Sequence, residues 1–332
     1  MLDRLGVRSI AAVIGGSMGG MATLEWSLCT SPGFVKNIIP ITTSLFHSAW
    51  GIAWGEAQRQ CIYADLKYAH GYYTPLPHGQ PKDGLGAARM VGMLTYRSFG
   101  SFETRFGRRP AKVEQQNFHD KDTGLITPSP SDIGCDDNHL DLCSSSARPA
   151  KRPRLDISSK EARRQSTANS LQPRYAAQSY MQYQADKFLR RFDANCYVHL
   201  TRKMDSHDVT RGRLSAKLSN EHVEPTTTQI KEVLRSIPTK ALVVSVATDV
   251  LFNAEQQIQI AECLPDATFL NLESPDGHDG FLLEFNALGS HITRRLREQC
   301  PWLYNGPSRE VTGAERGSTV VRSVFGELEP EF

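Results

Sequence analysis

The residues of this chain with the clearest chemistry are Gly15-Gly16-Ser17-Met18-Gly19-Gly20, which fit a G-x-S-x-G spacing between an apolar run and an amphipathic one. A sharp turn there lifts the Ser17 hydroxyl above the end of a strand, and Gly15 and Gly19 keep side chains away from the strained backbone. Ser17 then stands at a helix N-terminus, where the Met18 N–H and the helix dipole favour a developing oxyanion. A glycine-rich turn with an incidental serine reads the same way from the motif alone. A serine hydroxyl is a poor nucleophile without a base, and the base needs an orienting carboxylate. Asp249 and His278 supply both, in the chain order Ser, Asp, His. Asp249 ends ALVVSVATD, at the strand end where parallel sheets carry reactive residues. Its alternative is to cap the helix AEQQIQ, a task for which Asn253 is better placed. His278 lies in the loop SPDGHDGF, between the last predicted strand and the last helix. The other histidine after Asp249, His291, falls inside a predicted helix. Ser17 as nucleophile, His278 as base, Asp249 as orienter and Met18 as oxyanion donor make an acyl-transfer site.

The elements that must position these residues alternate between strand and helix. SIAAVI (9–14) reads as a strand buried on both faces, followed by the glycine turn, the helix MATLEWSLCT and a second buried strand, VKNIIPITT (35–43). Residues 44–107 hold helical patterns rich in Trp, Tyr and Arg, expected as an inserted cap. From about 108 to 172 the chain turns to Ser, Asp, Pro, Lys and Arg, too polar to offset its ordering entropy, and is expected to be disordered. It includes KRPR at 151–154, which matches a nuclear-import-like cluster and is read as a solvated charge run. Helical periodicity returns at about 175. The α/β alternation then resumes with ALVVSVATD, AEQQIQIAECL, ATFLNLES and the closing helix GFLLEFNALGSHITRRLREQ. The expected division is core 1–44, cap 45–107, insertion 108–172, cap 173–235, core 236–303 and a loose tail 304–332.

Composition excludes several classes. At 39% hydrophobic and 22% charged residues over 332, the chain can bury a sizeable core, and no apolar stretch is long enough for a membrane helix. A net charge of +2, from 38 basic and 36 acidic residues, offers no field for nucleic acid or an anionic bilayer. Seven cysteines without CxxC pairs point to reduced thiols in the cytoplasm, with neither a disulfide framework nor a metal site. The apolar run near the N-terminus ends in glycines instead of a cleavage site, so it reads as a strand and not as a signal peptide.

Beyond the triad, LDRLGV, GGSMGGMATLEW, EAQRQCIY, GLGAARMVGMLTYRS with FETRFGR, SYMQYQADKFLRRFDANCYVHLTRKMDSHDVTRG and GHDGFLLE resemble the homoserine O-acetyltransferase family, above all its fungal members. The resemblance covers the chain from residue 2 to about 300, the polar insertion excepted. It implies an α/β-hydrolase fold, a mostly parallel sheet flanked by helices, carrying an inserted helical cap. It also implies transfer of acetyl from acetyl-CoA, a co-substrate with no bound cofactor or metal, to L-homoserine through acetyl-Ser17, with the cap excluding water. Arg89 and Asp279 would hold the amino acid's carboxylate and ammonium, an ion pair on a cap helix being the alternative for Arg89, and Tyr197 and Asp208 are further candidates from the second cap motif. A homodimer formed through the cap helices is implied as well. Similar enzymes acetylate serine or deacetylcephalosporin C, so another hydroxyl acceptor, plain ester hydrolysis and a non-catalytic remnant are the alternatives. The family's sheet begins well before its nucleophile strand, whereas 16 residues precede Ser17. The first strands and the loop giving the second oxyanion N–H are thus expected to be missing, as in a truncated gene model, splice product or fragment.

Overall fold

A computed structural model of the chain describes residues 2–74, 79–111, 175–214, 225–238 and 240–306. The expected disordered insertion, apart from 108–111, the KRPR cluster and the tail beyond 306 lie outside the described residues. Met1–Arg109 and Tyr175–Phe332 form one unit, with Pro110–Arg174 as a second. Every described strand and helix belongs to the first unit.

In chain order its strands and α-helices are β1 (Val13–Gly16), α1 (Met18–Leu28), β2 (Ile38–Ile41), α2 (Ala49–Tyr63), α3 (Lys82–Tyr96), α4 (Phe99–Arg105), α5 (Ala176–Leu189), α6 (Ala194–Asp205), α7 (Thr227–Leu234), β3 (Leu242–Val246), α8 (Ala254–Cys263), β4 (Thr268–Leu272), α9 (Gly280–Leu283) and α10 (Phe285–Gln299). The four strands form one all-parallel sheet in the order β1-β2-β3-β4. Registers run Val13 to Ile38 and Leu242 to Thr268, with Ile41 opposite Val244.

The sheet's two faces follow from the period of two in its strands. Ile38 and Val243 face a core with Leu24 of α1, Ile230 and Leu234 of α7 and Ile260 of α8. Ile39, Ile41, Leu242, Val244 and Val246 face the other way, onto Leu288 and Ile292 of α10. Each such fully buried Ile, Leu or Val contributes about 1.5–3 kcal/mol relative to exposure.

The central strands match their expected apolar runs and are buried at every residue. The first strand differs from expectation. It is Val13–Gly16, displaced toward the glycines, and Ile10 makes only an isolated bridge to Val35. Ile14 is 43% exposed. Among the described residues β1 has a neighbour on one side alone, so its apolar residues are not covered as a central strand's are. The closing helix is also interrupted, between α9 and α10, at Glu284.

Between β2 and β3 lies a helical layer in which α3 packs on α2 and α5, and α6 packs on α2. A separate core of Ile62, Leu85, Ala88, Phe188, Tyr197 and Val198 holds it together. Serine and aspartate caps start two of these helices: Ser48 accepts the Gly51 N–H and Asp193 accepts the Cys196 N–H. Among the described residues no helix is long and apolar enough to cross a membrane, and Cys29, Cys61, Cys196, Cys263 and Cys300 are free thiols.

Candidate active site

Ser17 joins the end of β1 to the start of α1 with φ 57° and ψ −124°, a backbone region that a side chain occupies at a cost of order 1–3 kcal/mol. The turn is held on all sides. Ser17 N donates to Ile41 O at 2.9 Å, and Ser17 O accepts from Gly20 N at 2.9 Å, Met21 N at 3.1 Å and Thr43 Oγ1 at 2.9 Å. Gly15 is required by close approach, since a Cβ there would lie 2.2 Å from Gly19 O. Gly19 itself does not play the expected role: a Cβ there meets nothing within 4 Å, while one on Gly20 would lie 2.6 Å from Thr43 Cβ. Met18 opens α1, and the N–H groups of a helix's first turn have no intrahelical acceptor. Its amide is therefore a donor beside Ser17.

The other two members of the predicted triad are in contact. His278 Nδ1 lies 2.7 Å from Asp249 Oδ2, and both side chains are buried. The second carboxylate oxygen, Oδ1, accepts from Leu251 N at 2.8 Å and Phe252 N at 2.9 Å. Asp249 is thus fixed by its own turn, and Asn253 is the residue that caps α8, accepting the Gln256 N–H. A carboxylate accepting at Nδ1 fixes the tautomer that leaves Nε2 free to take a proton. The His278 ring is packed against Phe252 and Phe281, at centroid distances of 5.4 and 5.5 Å. Gly277, with φ 68°, turns the chain just before it, where a Cβ would collide with Ser98 N at 2.6 Å. Thr248 Oγ1 ties the two loops together, donating to Ser274 O and accepting from Gly277 N.

Ser17, Met18, His278, Asp279, Arg89 and Tyr197 line one cavity of about 580 Å³ under the helical layer. Arg89 is 8% exposed, and its guanidinium stacks on Tyr96 and Phe188 at 5.3 and 4.9 Å from the ring centroids. Among the described residues it has no carboxylate partner, and its buried Nε has no hydrogen-bond acceptor. The structural ion pair that was the alternative for Arg89 is therefore absent among these residues. Asp279 is already paired: Arg97 Nε lies 3.0 Å from its Oδ2 while Arg97 Nη1 reaches Asp276 at 2.7 Å. Tyr197 donates its hydroxyl to Gln58 Oε1, and burial pushes that hydroxyl's pKa upward, so it stays a donor.

Asp208 does not belong to this group. It lies outside the cavity wall, pairs with Phe46 through an isolated antiparallel bridge, and its Oδ1 accepts both the N–H and the hydroxyl of Thr210 at 2.8 Å. A short polar residue at a helix-to-loop transition satisfies local backbone first. Three positions earlier, Asp205 does line the cavity and pairs with Arg59 Nη2 at 2.7 Å.

The wall also contains residues that the motifs did not single out. Gly51, Trp54, Gly55 and Gln58 of α2 recur at i, i+3, i+4 and i+7, and on α6 Leu200, Thr201 and Met204 follow the expected Tyr197 at i+3, i+4 and i+7. Two small residues with a glutamine on one face of α2 were the available signal. Among the described residues no group of three or more His, Cys, Asp or Glu side chains is placed to hold a metal ion.

A family model described as alpha/beta hydrolase fold matches residues 1–285. The chain is 39% identical over 390 aligned positions to a homoserine O-acetyltransferase of Cryptococcus neoformans var. grubii, covering 100% of this chain and 73% of that protein. It is 40% identical over 350 positions to one of Emericella nidulans, covering 100% and 69%. Among solved structures, a homoserine O-acetyltransferase from Bacillus anthracis superposes with a TM-score of 0.60 at 15% identity, covering 89% of this chain and 62% of that one. The esterase E22 superposes with a TM-score of 0.59 at 18% identity, covering 89% and 63%. At such identities the structural likeness carries the fold alone.

Proposed function

The chain belongs to the homoserine O-acetyltransferase family of the alpha/beta hydrolase fold, and from that premise we propose that it moves an acetyl group from acetyl-CoA to the hydroxyl of L-homoserine through acetyl-Ser17. The observation that carries the acceptor side is Arg89, a buried guanidinium without an anion among the described residues, in the same cavity as Ser17 and His278. A buried cation is costly until it is paired, so the cavity is built for a ligand that brings a negative charge. A plain ester does not bring one. An amino acid carrying a hydroxyl does.

In this reading Ser17 Oγ attacks the thioester carbonyl carbon while His278 Nε2 takes its proton, and Asp249 stabilises the imidazolium. The Met18 N–H donates to the tetrahedral oxyanion. The C–S bond then breaks, and the CoA sulfur leaves with the proton from His278. The homoserine hydroxyl next gives its proton to His278 and attacks the acetyl-enzyme, and collapse returns the proton to Ser17. Arg89 holds the acceptor's carboxylate and Asp279 its ammonium, with Arg97 fixing the Asp279 carboxylate in place. The helical layer acts as a cap that keeps water from the acetyl-serine, which separates transfer from hydrolysis. We also place the homodimer contact on this layer, where Leu66, Tyr72 and Phe99 are exposed at 99%, 91% and 81%. The free thiols fit a reducing, cytoplasmic setting.

The test is to incubate the protein with acetyl-CoA, locate the added acetyl by peptide mass, and then offer L-homoserine, L-serine or no acceptor. Acetyl on Ser17, discharged fastest by homoserine, is the expected result. Discharge at one rate whatever is offered would make the chain a hydrolase.

A further inference from the structure

We infer that Gln58 is an acceptor-binding residue, its side-chain amide donating to the same carboxylate that Arg89 holds; this rests on homoserine being the acceptor. Gln58 lies in the middle of α2, is 8% exposed and lines the cavity. A buried glutamine must place both a carbonyl oxygen and an NH₂ group. Its oxygen is taken by the Tyr197 hydroxyl, its nitrogen makes no hydrogen bond among the described residues, and the side chain lines the cavity, which leaves the N–H groups for a ligand there. With Tyr197 donating to Oε1, the amide nitrogen is on the side of the amide group away from that hydroxyl.

Three features place this donor at the carboxylate's end of the cavity. Gly92 stands one turn after Arg89 on α3, and a Cβ there would lie 3.2 Å from Tyr197 Oη, 3.4 Å from Gln58 Oε1 and 3.5 Å from Tyr96 Oη. Tyr96 is also the ring on which the Arg89 guanidinium stacks. The Arg89 charge is close enough to the Tyr197 hydroxyl to oppose the upward push of burial on its pKa. Gln58, Tyr197, Tyr96 and Arg89 are therefore one cluster, contributed by three helices.

Arg89 alone leaves part of a carboxylate unsatisfied here. Its Nε is buried without a partner, so the fork made by Nε and one Nη is closed, and the Tyr96 and Phe188 rings lie against the guanidinium. The Nη edge remains, against a ligand with about four lone-pair directions to fill. A second donor at the same end fills some of the remainder, and a neutral amide does so without adding a charge that must be desolvated.

Direct binding to the Ser17→Ala protein tests this without requiring the chemistry. L-homoserine and L-homoserine amide are titrated calorimetrically into that protein and into versions also carrying Gln58→Glu, Gln58→Leu or Tyr197→Phe. Gln58→Leu removes the donor without adding a charge, whereas Gln58→Glu keeps an oxygen for Tyr197 and the shape of the side chain but exchanges the donor for a negative charge. Expected for Gln58→Leu and Gln58→Glu is a loss of homoserine affinity of about tenfold to a hundredfold, the range for a hydrogen bond to a charged group. Tyr197→Phe should lose less, and the amide ligand should change by less than about twofold in every variant. Undiminished homoserine binding by Gln58→Leu overturns the inference, as does an equal loss for acid and amide. Melting temperatures identify a variant that has merely unfolded, and in that case the Tyr197→Phe arm decides. If Ser17→Ala binds neither ligand while the Ser17 protein still becomes acetylated, the acceptor reading fails and takes the inference with it.

Discussion

The two walls of the cavity are built by different means. On the sheet side, Ser17 and Asp249 are fixed by backbone, and Asp249 in turn fixes His278: the Ser17 turn is bonded to Ile41, Gly20 and Met21, and Asp249 is held by the amides of Leu251 and Phe252. On the helical side, Arg89, Gln58, Tyr197 and Asp205 are fixed by one another's side chains, through ring stacking, a tyrosine hydroxyl and the Arg59 ion pair. The orphaned polar atoms within this group are on the helical side as well, at Arg89 Nε, Arg59 Nη1 and Asp205 Oδ1. A wall locked by backbone has one arrangement and suits chemistry common to a whole fold. A wall locked by side chains can be re-tuned by substitution, which suits the choice of acceptor.

The largest expected effect breaks the sheet wall's chemistry and leaves its structure. Asp249→Asn retains an oxygen for the Leu251 and Phe252 amides, but its NH₂ would face His278 Nδ1 and select the wrong tautomer. Acetylation of Ser17 by acetyl-CoA should slow by about 10⁴-fold. Homoserine binding and the melting temperature should hardly move. A mild rate loss would mean that His278 does not act as base through the bond at 2.7 Å.

A smaller effect separates backbone that is crowded from backbone that merely contains glycine. Gly15→Ala forces a Cβ to within 2.2 Å of Gly19 O and should destabilise the fold by about 1–3 kcal/mol. Gly19→Ala places a methyl group in open space in the first turn of α1 and should stabilise by about 0.4–1 kcal/mol. Thermal unfolding of the two variants should therefore move in opposite directions. The motif treats both glycines alike, and the structure does not.

The same contrast explains what could be read from the sequence. The sheet wall was legible because each member carries a local signature: an apolar run ending in glycines, an aspartate closing a second run, a histidine in the next loop. Chain order then did the rest. Asp208 was misplaced because MDSHD offers two aspartates three residues apart, and only three-dimensional packing decides that Asp205 faces the cavity while Asp208 caps Thr210. Gln58 was missed for a related reason. The Gly51, Gly55 and Gln58 spacing marks a face of α2, but Tyr197 lies 139 residues away, so nothing in that spacing shows that the glutamine's oxygen is engaged. The run SIAAVI, as apolar as a central strand, likewise did not show that Ile14 would be 43% exposed, with β1 paired on one side alone among the described residues.

The smallest effect concerns the seam where the two walls are joined. Residues 45–47 leave β2 and meet residues 207–209 beyond α6. His47 N donates to His207 O, Val209 N donates to Leu45 O, and His207 Nε2 lies 3.0 Å from Ser44 O. Burial pushes the pKa of both His47 and His207 down; Asp205 opposes this at His47, and the Ser44 carbonyl opposes it at His207. Both rings are therefore neutral in the fold at neutral pH, whereas in the unfolded chain they titrate near about 6.5. Below that value the unfolded state binds more protons than the native state, so stability is complete above it and falls as the pH drops. The slope contributed by one such histidine reaches at most about 1.4 kcal/mol per pH unit. His207→Gln keeps a donor for Ser44 O but has nothing to titrate, so melting temperatures measured between about pH 7.5 and 5.5 should fall less steeply than for the parent chain. If the two profiles run parallel, the seam is not what acid loosens first, and the helical wall is tied to the sheet more firmly than these three hydrogen bonds imply.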